Sequence, residues 1–90
     1  MGSRKRFLGV ASAFELALAN PSSYGSMIDA ASQLRTVLMN ESMSLTPTDK
    51  VRVLRSVTKA RVKVLMGSAS DGCDAFKTLD AIGTDIVRLL

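Results

Sequence analysis

Thr46-Pro47-Thr48-Asp49, midway along the chain, constrains its fold more than any other feature. Proline offers no N–H to a helix and its ring fixes φ, so it suits the first helical position and disrupts an interior. Thr46 before it supplies a hydroxyl for an N-cap. Asp49, three residues after that cap, sets an anion at the positive end of the helix dipole. A helix therefore starts at Pro47. Helical character continues to about Met66, where Gly67-Ser68 offers a left-handed C-cap.

Asn20-Pro21 makes a second break, because the residue before proline is biased away from helix. It closes a segment from about Arg4 to Ala19, in which Phe7, Ala11, Phe14 and Leu18 share one face at 4-3-4 spacing. A second segment, capped by Ser22 or Ser23, runs to about Met39 with Tyr24, Met27, Ala31, Leu34 and Leu38 as its stripe. The third, from Pro47, is expected to bury Val51, Leu54, Val57, Val62 and Leu65 over a wide arc. The fourth starts near Ser70 or Asp71 and carries Ala75, Leu79, Ile82, Ile86 and Leu89 at 4-3-4-3, a coiled-coil-like seam suited to an oligomer or a partner helix. Gly83 inside it costs about 1 kcal/mol against alanine, which suits a close helix approach.

Val51-Arg52-Val53 and Arg61-Val62-Lys63-Val64 alternate as a strand does, but the length, the proline cap and the charge spacing favour helix. Apolar residues make up 47% of the chain and aromatic ones 4%, so the core is aliphatic, the filling of a helical bundle. The expected fold is all-α, a compact four-helix domain with helical hairpins, residues 1–90 forming a single helical domain.

Six cations and no acid lie between Lys50 and Met66: Lys50, Arg52, Arg55, Lys59, Arg61 and Lys63. Arg52, Arg55, Lys59 and Lys63 follow 3-4-4 spacing and form one ridge, which points to phosphate contact. If each neutralised one phosphate, binding to duplex DNA would have a log–log salt slope of about −3.6. Arg4, Lys5 and Arg6 are candidates for the same role. Such contacts hold a duplex without reading its sequence, and the ridge has no aromatic residue for stacking on single strands. Lys50 and Arg61 fall in the mainly apolar arc, where they snorkel or pair with Asp74, Asp80 or Asp85. The competing reading of the ridge is a solvated face balanced by Asp71, Asp74, Asp80 and Asp85 of the fourth segment.

The chain has no histidine and one cysteine, which excludes an intrachain disulfide, His-based triads and most transition-metal sites. Asp71 and Asp74 oppose a low thiol pKa at Cys73, and Asp71-Gly72-Cys73-Asp74 lacks the alternating oxygen ligands of a calcium loop. No catalysis, cofactor or metal is expected. Arg4-Lys5-Arg6, Phe7 to Leu18 and then Ala17-Leu18-Ala19 have the outline of a secretory signal. Glu15 interrupts the apolar stretch, and no run reaches a membrane span. A cytoplasmic chain without membrane contact is expected.

The stretch Tyr24-Gly-Ser-Met-Ile-Asp-Ala-Ala-Ser-Gln-Leu-Arg-Thr-Val-Leu38 resembles a segment in small subunits of tailed-phage DNA-packaging terminases, particularly those of actinobacterial phages. The likeness rests on an alanine-rich helix ending in Leu34-Arg35-Thr36-Val37-Leu38. The resemblance implies a ring-forming, non-enzymatic helical protein that recognises viral DNA and recruits a separate motor subunit, in the host cytoplasm. The expected function is non-catalytic binding of duplex DNA by a homo-oligomer. The alternatives are a helical protein–protein adaptor and a small regulatory or inhibitory protein, binding an acidic partner.

Overall fold

The computed structural model describes residues 2–19, 24–40, 44–66 and 69–90. Within these, the side chains of residues 2, 3, 24, 69–73, 75 and 76 are left aside. Four helices follow one another: α1 (Gly2–Ala19), α2 (Tyr24–Asn40), α3 (Pro47–Met66) and α4 (Ala69–Leu89). The valine-rich stretch is helix throughout, and no strand occurs among the described residues. Ser22, Ser23 and Gly67, expected as caps, lie outside the described residues, as do the side chains of Tyr24, Asp71, Cys73 and Ala75.

The start of α3 follows from its sequence. The Asp49 N–H donates to Thr46 Oγ1 at 3.1 Å, and the Thr46 N–H donates to Asp49 Oδ2 at 3.2 Å. This reciprocal pair is a capping box with Asp in the place of the usual Glu. The Lys50 N–H closes the first turn on the Thr46 carbonyl at 3.1 Å.

The helices stand in a ring in which α1 packs on α2 and α3, and α4 packs on the same two. Arg61 meets Asp80 while Val57 meets Gly83, so the register runs in opposite directions and α3 and α4 form an antiparallel hairpin. Phe7, Phe14, Met27, Leu34, Val53 and Ile86 are the largest fully enclosed side chains. Each helix contributes to one core, and at its centre Phe14, Ala31, Val57 and Ile86 approach one another. Gly83 has a steric reason there: a Cβ would stand 2.8 Å from Val57 Cγ1.

The buried face of α1 is the expected one, Phe7, Ala11, Phe14 and Leu18. In α2, Met27, Ala31 and Leu34 are buried as expected, Leu38 only partly, and Ala30 and Val37 join them. The face of α3 requires correction. Val57 is buried, but Val51, Leu54, Val62 and Leu65 are 48%, 40%, 46% and 66% exposed. The face turned to the core is Asp49, Val53, Ser56, Val57, Ala60 and Val64. The buried face thus includes the small residues Ser56 and Ala60, while the larger leucines stay outside.

Candidate nucleic-acid interface

Asp49 begins the site because it ties α1 to α3. Its carboxylate is buried and accepts two bonds from Arg4, one from Nη2 at 3.0 Å and one from Nη1. Arg4 also lies over the Phe7 ring, 5.7 Å from its centre, within cation–π range. The Arg4 hydrogen bonds hold the Asp49 carboxyl down at about 2, helped by Thr46 and opposed by burial. Arg4, expected on DNA, is thus engaged inside the protein. Its charge is matched 45 positions away, by a partner that sequence spacing does not reveal.

A second pair makes the same join further along. Arg52 donates from Nε to Glu15 Oε2 at 2.6 Å and from Nη2 to Oε1 at 2.9 Å, and also reaches Ser12 Oγ at 3.2 Å. Hydrogen bonds from Arg52 lower the Glu15 pKa against the opposing effect of burial, and the charges of Arg52 and Lys59 add to the lowering. Those bonds raise the Arg52 pKa in turn. The expected four-cation ridge therefore loses its first member to an intramolecular fork.

Arg55, Lys59 and Lys63 remain. Among the described residues none of them has an ion-pair partner. They border a solvent-open groove of about 780 Å³ between the C-terminal half of α1 and α3, with Glu15, Leu18, Ala19, Val51 and Ser56 also on its walls. Among the described residues Glu15 is the groove's one acid, and Arg52 already occupies it. The other basic candidates lie elsewhere. Lys5 is exposed near the start of α1. Arg6 lines a hollow with Val10, Ser32, Gln33, Thr36 and Val37 on the α1–α2 side. Arg61, on the flank towards α4, pairs with Asp80 and donates to Thr84 Oγ1 at 3.3 Å, as its place in the apolar arc suggested.

The seam of α4 also requires correction. Leu79, Ile82 and Ile86 are 2%, 4% and 0% exposed, so they pack within the protein's own core and offer nothing to another molecule. Leu89 is 40% exposed. Heptad-like spacing is the same for a seam closed inside one chain and one closed between chains, which is why the sequence did not separate them.

Sequence reasoning missed the outer side of α3. With about 100° per residue, Val51, Leu54, Val62 and Leu65 share the side opposite Val53, Ala60 and Val64. The result is a helix with three distinct faces: core, cation row and exposed apolar stripe. The segment resembling terminase subunits lies in α2, where Leu34 is core and Arg35 donates to Asp85 Oδ2 at 3.3 Å. Those residues serve packing between α2 and α4. No described helix is long and apolar enough to cross a membrane. Comparison with family models, curated proteins and solved structures finds no match to this chain.

Proposed function

We propose that the protein binds duplex DNA through Arg55, Lys59 and Lys63, without catalysing a reaction on it. The observation that carries this reading is the contrast along one helix. Arg52 and Arg61 form ion pairs with acids of α1 and α4, whereas the three cations of the groove row form no ion pair among the described residues, Lys59 acting on Glu15 only at longer range. Arg55 to Lys63 covers about 12 Å of helix axis. A duplex carries one charge per about 1.7 Å of its own axis, so several phosphates come within reach. The row has no stacking side chain and no amide to read base edges, which suits backbone contact and sequence-tolerant affinity.

With Arg52 neutralised, the salt slope becomes about −2.7 instead of about −3.6. Three such contacts make a weak site, and a homo-oligomer would multiply it through avidity. The terminase-like segment of α2 supports the narrower proposal that the duplex is viral and that the oligomer hands it to a motor subunit, in the cytoplasm of a host. That narrower reading rests on a helix used for packing, so its support is independent of the cation row.

The test is fluorescence anisotropy with a random-sequence duplex at low salt. Arg55→Ser, Lys59→Ser and Lys63→Ser should each weaken binding, whereas Arg35→Ser, whose ion pair lies between α2 and α4, should not. Equal losses for all four variants would reduce the site to net charge, and no binding by the unaltered protein would remove the proposal. Light scattering with and without duplex reads the oligomer directly.

A further inference from the structure

Val51, Leu54, Val62, Leu65 and Met66 stand out from α3 on the side away from the core, Leu65 and Met66 being 66% and 82% exposed. Soluble proteins seldom leave so many large apolar side chains in one stripe without an occupant. The flanks identify its chemistry. Arg55 borders the stripe on the groove side and Lys50 on the other, both exposed, and among the described residues α3 itself carries no acid on its outward side. We infer that this face docks an amphipathic helix whose apolar seam is flanked by Asp and Glu, an interaction of the helix-in-groove kind.

A second copy of the chain is the poorer occupant, because an isologous α3–α3 contact would set Lys50 and Arg55 against the same cations. An anionic bilayer shares the charge preference, but the stripe carries no aromatic anchor and adjoins a groove that gives a second helix a lateral wall. The inference stands apart from DNA binding. Lys59 and Lys63 face the groove, Leu54, Val62, Leu65 and Met66 face outward, and Val51 and Arg55 border both.

The probe is a synthetic three-heptad helix with Leu at a and d and Glu at e and g, whose like charges keep it from pairing with itself. Its counterpart carries Lys at e and g. The protein should bind the Glu-flanked helix in preference to the Lys-flanked one. Leu54→Gln, Leu65→Gln and Lys50→Glu should each weaken that binding by about tenfold, while Val87→Gln, on exposed α4 surface, should not. Leu54→Gln and Leu65→Gln should leave duplex affinity unchanged, which separates this surface from the DNA row. Leu65 is so exposed that its replacement cannot unfold the bundle, and far-UV circular dichroism checks all four variants. Equal binding of the two peptides, or insensitivity to Leu54→Gln and Leu65→Gln together, would overturn the inference. So would stripe-dependent binding to phosphatidylserine vesicles without peptide binding, or a fall in the protein's own mass on Leu65→Gln.

Discussion

Gly83→Ala tests the packing of α3 on α4 because two effects of known size oppose each other there. Alanine in a helix interior gains about 1 kcal/mol over glycine. Against this, the new methyl would sit 2.8 Å from Val57 Cγ1, well inside the roughly 3.5–4.0 Å of an unstrained carbon contact. Val57 is branched at Cβ and packed in the core, so it cannot swing aside as a flexible chain end would. Relief requires an off-rotamer valine or a displaced helix, which costs about 1–3 kcal/mol. The net expectation is a loss of about 1 kcal/mol, or roughly 4–8 °C in Tm for a domain of this size. Val57→Ala removes the obstructing methyl, and in that background Gly83→Ala should become stabilising by about 1 kcal/mol. The sign therefore inverts, with a coupling of about 2 kcal/mol. Urea denaturation of the four proteins of the cycle, followed by circular dichroism, measures it. A Gly83→Ala protein more stable than its parent, or a coupling below about 0.5 kcal/mol, would refute the close approach.

Three further outcomes follow from particular contacts. Val64→Ala should cost about 2 kcal/mol, whereas its neighbour Leu65→Ser should stay within about 0.5 kcal/mol, since only Val64 is buried; equal costs in denaturation would reverse the faces of α3. The Asp49 carboxyl is depressed from 3.8 to about 2 by Arg4, so its contribution to stability is complete above the unfolded value and is lost as pH falls from about 4 through about 2. Denaturation midpoints across that window should fall less steeply for Asp49→Asn than for the parent, and parallel curves would exclude the assignment. Thr46→Ala should lower stability by about 1 kcal/mol through the lost N-cap, read as a shift in urea midpoint.

The helix ends were legible where the chain marks them chemically. Pro47 and Thr46 define the start of α3 by what proline cannot donate and threonine can accept, and the observed cap uses both groups. The face of α1 was legible because its bulky apolar residues occupy one side. The face of α3 was not, because valines and leucines occur on opposite sides of it, and the buried side carries the small Ala60 with Ser56 and Asp49, which hydropathy places outside. Spacing exposed the cation row but not its pairing, since Arg4 and Arg52 find their acids 45 and 37 positions away. Asp49 served as a cap acid in the sequence and proves also to be the anchor of α1.

The central claim is that three cations of α3 hold duplex phosphate, and the dependence of affinity on salt tests it most directly. Binding of a random-sequence duplex should show a log–log slope of about −2.7 per protomer, and the Arg55→Ser, Lys59→Ser, Lys63→Ser triple variant should lose that slope along with its affinity while keeping its helical spectrum. A triple variant that binds with the parent's slope, or a parent that binds no duplex at low salt, would contradict it.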